Sequence, residues 1–82
     1  MILVDIYVAS IGESFDFRVD ETVKIVNVVR EVSEMLCVKY KTELNKPVED
    51  LMLCSYRDRK ILDGETTLWE HNITNGCKLL LV

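Results

Sequence analysis

Apolar and polar residues alternate over the first part of the chain. Apolar side chains recur at every second position from residue 2 to residue 8, and Asp5 on the opposite side marks the face that meets water. A period of two predicts a β-strand with one buried face. The same period returns over residues 15–19, after a short segment that contains Gly12. Two alternating runs joined by a short loop with glycine predict a β-hairpin.

The period then changes to that of a helix, from Val23 to about Val38, without Gly or Pro. One helical stripe is apolar and the opposite stripe is polar. Thr22 is the predicted N-cap, because its hydroxyl can accept a hydrogen bond from a free backbone N–H of the first turn. Asp20 and Glu21 precede it, where the helix dipole favours negative charge. Further residues are expected to widen the apolar stripe: Val23, Val26 and Cys37.

The second half of the chain predicts three shorter strands. Residues 39–49 are mostly polar and predict a connection. A third strand is predicted within 51–56, a short fourth strand over 60–62, and a final apolar strand over 77–82. Between the last two, a helical turn begins near residue 67, with Leu68 pointing inward. Asp63 and Glu65 are interpreted as turn residues.

This order of elements predicts an α+β fold in two layers, with the helix on a single face of the sheet. No linker or repeat divides the chain, so residues 1–82 are expected to form a single domain. The predicted core consists of Val4, Ile6, Phe15, Phe17, Val19, Ile25, Val29, Val32, Leu51, Leu53, Leu62, Leu68, Ile73, Leu79 and Leu81.

Composition narrows the function classes. The 82 residues carry a formal net charge of −4, which argues against a nucleic-acid binder. Arg57, Arg59 and Lys60 cluster, and we interpret them as a solvated loop. The three widely spaced cysteines are a poor disulfide framework and predict buried free thiols in a reducing compartment. No signal peptide or membrane span is recognised, so a cytoplasmic location is expected, without direct membrane insertion.

Several segments resemble the C-terminal half of ubiquitin-like proteins: Ile61-Leu62-Asp63-Gly64, Thr67-Leu68, Asn72-Ile73, and the alternating Leu79 and Leu81. The hairpin and the helix that follow the N-terminus agree with this resemblance. It implies a ubiquitin-like β-grasp, a mixed four- to five-stranded sheet with one helix packed across one face. The first and last strands are then expected to be adjacent and parallel.

Within this superfamily the chain resembles most the YukD-like proteins of the type VII (WXG100) secretion systems of Gram-positive bacteria. The similarity lies in the length, in the residues from His71 to Gly76, and in the ending from Leu79 to Val82. The resemblance implies a non-catalytic accessory or regulatory component, whose partners would be membrane or ATPase subunits of the secretion machinery. A domain taken from a larger protein is the alternative.

The residues offer no recognisable catalytic chemistry. Conjugation and sulfur carriage need a C-terminal Gly-Gly, and this chain ends in Leu79-Leu80-Leu81-Val82. A carrier or modifier role is therefore excluded unless the natural product is longer. His71 has no evident base or nucleophile beside it. No enzyme activity, cofactor or metal is expected.

The candidate binding site is the sheet face that the helix leaves uncovered. Because side chains alternate along a strand, residues next to the core positions must point outward. They are expected to form a continuous apolar patch that binds protein partners or a second copy of the chain: Leu3, Tyr7, Met52, Leu80 and Val82. Cys54 also points outward. Trp69 is interpreted as a partly buried loop residue at the sheet edge, with a binding anchor as the alternative.

Overall fold

The computed structural model describes residues 1–41, 44 and 46–82. Five strands and one α-helix follow in the order β1 (Ile2–Val8), β2 (Glu13–Val19), α1 (Ile25–Val38), β3 (Leu53–Ser55), β4 (Lys60–Ile61) and β5 (Lys78–Leu81). Two short 3-10 helices lie between them, at Val48–Asp50 and Trp69–His71. The predicted order of elements is confirmed. The predicted connection over 39–49 contains the first 3-10 helix and three residues that lie outside the described part of the chain.

The strands form a mixed five-stranded sheet in the order β2-β1-β5-β3-β4. β1 and β5 pair in parallel, and the other neighbours are antiparallel. The buried side of α1 packs with the sheet into one hydrophobic core. This is the predicted ubiquitin-like β-grasp, with the first and last strands adjacent.

The predicted register of the sheet is confirmed. Ile6 pairs with Leu79, and neither side chain is exposed, whereas Asp5 lies on the other face. All predicted core residues are buried except Phe15 and Leu51, which are partly buried and pack against the core. Three further buried residues complete the core. Val8 follows the period of two in β1, and Val28 and Leu36 follow the helical period of α1.

The start of α1 differs from the prediction. The helix begins at Ile25, and no side chain caps it. Its first amides instead donate to carbonyls of a distant loop. The amide of Ile25 donates to Thr66 O at 2.8 Å, and that of Val26 donates to Gly64 O at 2.9 Å. Because these carbonyls satisfy the free N–H groups of the first turn, a side-chain cap is not needed.

Thr22 is therefore not the N-cap. Its hydroxyl donates to Asp20 Oδ1 at 2.6 Å, and its amide donates to the same oxygen at 2.9 Å. The two residues form a local turn before the helix. These hydrogen bonds, that of the hydroxyl above all, hold the pKa of Asp20 below its ordinary value of 3.8, because they favour the ionised carboxylate.

The buried stripe of α1 is narrower than predicted. Val26 and Cys37 are exposed, and Val23 precedes the helix, where it is partly buried. Ser33 is buried in their place. Its hydroxyl donates to Val29 O at 2.7 Å, so the polar group is satisfied within the helix itself. The helix thus covers the sheet with one stripe of side chains and leaves its flanks in solvent.

The loop after β4 caps the start of α1 and also contributes two buried side chains to the core. Leu68 and Ile73 are buried, as predicted. Asp63 Oδ1 accepts a hydrogen bond from the amide of Glu65 at 2.9 Å, which confirms the turn role of both residues. The hydroxyl of Thr66 donates to Asp63 O at 2.6 Å and therefore accepts from Nε2 of His71, 2.8 Å away. The loop is thus hydrogen-bonded internally.

We predict that Thr22→Val raises the pKa of Asp20 towards its ordinary value, because one donor to the ionised carboxylate is lost. The low folded pKa stabilises the protein at neutral pH, and this contribution disappears as the pH falls through that pKa. The destabilisation by Thr22→Val should therefore be larger at pH 7 than at about pH 2. Carboxyl carbon-13 NMR titration and urea unfolding at both pH values measure the two effects.

Thr74→Val is the matched control, because the Thr74 hydroxyl faces Cys77 Sγ at 3.9 Å and no carboxylate. It should leave the pKa of Asp20 unchanged. An Asp20 pKa that is the same in wild type and in Thr22→Val would contradict the assigned hydrogen bond.

Candidate protein-interaction surface

An apolar row crosses four adjacent strands on the sheet face opposite α1. Tyr7 of β1 pairs with Leu80 of β5, Leu80 pairs with Cys54 of β3, and Cys54 pairs with Ile61 of β4. Directly paired residues project from the same face of a sheet, so these four side chains lie side by side. Ile61 is 58% exposed. The row is continuous from β1 to the outer edge of the sheet.

Met52 and Val82 extend this row at one end of β3 and β5. The amide of Met52 donates to Val82 O at 2.8 Å, and the amide of Val82 donates to Met52 O at 2.9 Å. The pair lies two residues from the pair of Cys54 and Leu80, on the same face. We call these six residues the outer patch: Tyr7, Met52, Cys54, Ile61, Leu80 and Val82.

Leu3 does not join the outer patch. It is exposed on the same face, but Asp5 lies between it and Tyr7, and Asp5 pairs with Lys78 of β5. Leu3 is thus about 13 Å from Tyr7 along β1, with a charged pair in between. It pairs with Arg18 of β2 instead. The predicted continuity of the patch therefore ends at Tyr7, and the patch extends towards β4.

Sequence reasoning omitted Ile61 and Cys54 from the site. The sequence pattern predicts that Cys54 points outward, and it places Ile61 in a strand without assigning its side chain to a face. The face of Cys54 and Ile61 follows from their buried neighbours Leu53 and Leu62, which are hydrogen-bonded to each other across the β3–β4 hairpin. Once these two face the core, Cys54 and Ile61 must both face outward.

Basic side chains border the outer patch. Nζ of Lys78 lies 5.8 Å from the ring centroid of Tyr56, a cation–π distance. Arg59 and Lys60 line a shallow groove of about 390 Å³ together with Cys54, Ser55, Tyr56, Ile61 and Leu80. Arg59 has a left-handed backbone (φ 54°), and its amide donates to Ser55 O at 2.8 Å. The predicted basic loop is thus exposed and also forms one wall of the groove.

Trp69 lies outside the sheet, in the second 3-10 helix, and is 70% exposed. The interpretation as a partly buried edge residue is therefore wrong. Its amide donates to Glu21 O at 3.0 Å, which holds the backbone in place while the indole projects into solvent. A binding role for this side chain stays a prediction.

All three cysteines are free thiols, but they are not uniformly buried. Cys37 is exposed, and Cys54 and Cys77 are partly buried. The predicted burial is thus wrong for Cys37, which lies on the solvent side of α1. Burial raises the pKa of the Cys54 thiol above its ordinary value of 9.0. Cys54 therefore stays protonated at neutral pH and acts as an apolar member of the patch.

Neither a candidate metal site nor a membrane-spanning helix occurs among the described residues. They contain no group of three His, Cys, Asp or Glu side chains that could hold a metal ion. No helix within the described ranges is long and apolar enough to span a bilayer.

The architecture, a mixed five-stranded sheet with one helix across one face, is a ubiquitin-like β-grasp fold. The UBL domain of Dsk2 from Plasmodium falciparum has a similar crystal structure, with a TM-score of 0.76 and 20% sequence identity over 99% of this chain and 95% of that one. No protein-family model and no curated protein sequence matches the chain. Altogether 399 chains of solved structures match, and so common a fold does not by itself identify a function.

We predict different reactivity for the thiols of the folded protein. Iodoacetamide at pH 7 should modify Cys37 first, because it is exposed, and Cys54 much more slowly, because its thiol is partly buried and protonated. Peptide mass spectrometry of timed samples measures both rates. In urea the two rates should converge, and titration under denaturing, non-reducing conditions should find three thiols. Equal rates in the folded protein would contradict the described environment of Cys54.

Proposed function

We propose that this chain is a non-enzymatic protein-interaction module and that partners bind to its outer patch. The observation that carries the proposal is the continuous apolar row from Tyr7 to Ile61, on a sheet face opposite the only described helix of more than three residues. Single exposed apolar residues are normal on protein surfaces. Here six apolar residues are joined by the register of four adjacent strands, three of them exposed and three partly buried, and such a contiguous patch is characteristic of an interaction surface.

The border of the patch suggests the chemistry of the partner. Arg59 and Lys60 line the groove, and Lys78 lies against the Tyr56 ring in its wall, although the whole chain carries a net charge of −4. A partner segment with an apolar side chain for the groove and carboxylates beside it would match both features. The resemblance to ubiquitin-like proteins supports the same face, since these proteins typically bind partners through it.

The general binding role has more support than the secretion role. The structural neighbour is described as a UBL domain, which agrees with a binding domain. A narrower hypothesis, an accessory component of a type VII secretion system in the bacterial cytoplasm, is supported by the sequence resemblance alone. It makes the partner a membrane or ATPase subunit of that machinery.

We predict that Met52→Asp combined with Leu80→Lys weakens partner binding by about tenfold or more, because charges replace two apolar contacts of the patch. Both side chains point away from the core, so the fold should survive. Pull-down from cytosolic and membrane fractions of the source organism identifies partners. Isothermal titration calorimetry with each purified partner then measures the affinity.

Val38→Asp is the matched control, because Val38 is 78% exposed on α1, on the far side of the sheet. It should bind like wild type. A folded double variant that binds every partner with unchanged affinity would refute the patch as the site. Patch-dependent partners that are all unrelated to secretion would refute the narrower hypothesis and leave the general one standing.

A further inference from the structure

β2 is an edge strand of the sheet, and the direction of its backbone hydrogen bonds can be derived from its neighbour β1. On β1, the amide of Asp5 donates to Cys77 O at 3.0 Å and the amide of Ala9 donates to Leu81 O at 3.1 Å, both towards β5. Backbone groups of successive residues in a strand point to opposite sides. Residues 4, 6 and 8 therefore face β2, where they pair with residues 17, 15 and 13.

It follows that the backbone groups of Ser14, Asp16 and Arg18 point away from the sheet. No described strand lies beyond β2 to receive them. The edge is seven residues long and contains neither Pro nor Lys, two common means of blocking an edge. An extended strand of matching side chains could therefore pair with it.

The charged side chains of β2 can pair with those of β2 in a second copy of the chain. In an antiparallel pair of two β2 strands, outward-pointing residues must face each other. One register places Asp16 opposite Asp16, another places Arg18 opposite Arg18, and both bring like charges together. The register centred on Phe17 places Asp16 opposite Arg18 on both sides of the two-fold axis. Opposite charges stabilise a cross-strand pair and like charges destabilise it, so the charges select this register.

An aromatic cluster lies beside the same edge on the face of the sheet that carries α1. The ring centroids of Phe15 and Tyr40 are 4.7 Å apart, and Tyr40 meets Phe17 edge-on at 6.4 Å. Tyr40 is 40% exposed and Phe15 is partly buried. In the register centred on Phe17, the clusters of two copies would approach each other and remove more of this aromatic surface from water.

We propose that this chain forms a two-fold symmetric dimer through antiparallel pairing of two β2 edges, with Asp16 of each copy opposite Arg18 of the other. The contact is isologous and closes after two copies. It continues one sheet through both subunits, with both helices on one side and both outer patches on the other. This proposal does not depend on what the outer patch binds.

Charge reversal tests the register directly by sedimentation equilibrium. Wild type should dimerise, whereas Asp16→Arg and Arg18→Asp should each raise the dimer dissociation constant by at least about tenfold, because each brings like charges together twice. An equimolar mixture of the two variants should associate as a heterodimer, since every facing pair is then of opposite charge. The double variant with both changes should dimerise again.

Glu34→Arg and Arg30→Asp are the controls, because each makes the same change of net charge at an exposed site on α1. Both should dimerise like wild type. Hydrogen exchange of wild type gives a second measurement that needs no variant. The amides of residues 14, 16 and 18 should exchange more slowly as the protein concentration rises.

Three results would overturn the proposal. The first is a wild type that remains monomeric, with concentration-independent exchange at the β2 amides, up to about 1 mM. That result would leave the edge free for a peptide of another protein. The second is a pair of charge variants that do not associate when mixed. The third is a dimer that Met52→Asp with Leu80→Lys abolishes and Asp16→Arg does not affect, which would place self-association on the outer patch.

Discussion

The insertion of β5 between β1 and β3 is the interaction on which the rest of this structure depends. The two halves of the sheet, β2-β1 and β3-β4, make no strand pairing with each other except through β5. Leu79 and Leu81 on its inner side are buried against the helix layer. Without this strand neither the parallel pair with β1 nor the antiparallel pair with β3 exists, and the core is left open to water.

The same strand determines the outer patch. Because Leu79 and Leu81 face the core, Leu80 and Val82 must face outward, and their neighbours in β1 and β3 follow. A shift of one residue would exchange Leu79 and Leu81 for Leu80 and Val82 in the core and would also bury the charged Lys78, and the burial of an unpaired charge is strongly disfavoured. The surface that we propose for binding is thus held in place by the burial energy of the opposite face, rather than by contacts of its own.

Much of this arrangement could be predicted from the sequence, because alternation along β1 and β2 and the helical stripe of α1 are local signals. The start of α1 could not, since its capping carbonyls belong to Gly64 and Thr66, far along the chain. The place of Leu3 outside the patch depends on the register between β1 and β5, which puts Lys78 beside Asp5. β4 has only two residues, too few for a pattern to assign a face to Ile61.

The parallel pairing of β1 with β5 also has a consequence for the way the chain folds. The two strands come from opposite ends of the sequence, so a long loop must be closed before their contacts form. The β1–β2 hairpin and α1 rely on local contacts and can form transiently, but their buried surface is completed only when β5 arrives. Such non-local pairing slows folding. While the chain is incomplete, the side of β1 that later pairs with β5 is open to pairing with other chains. Chaperones would therefore bind the chain in this interval rather than after it has folded.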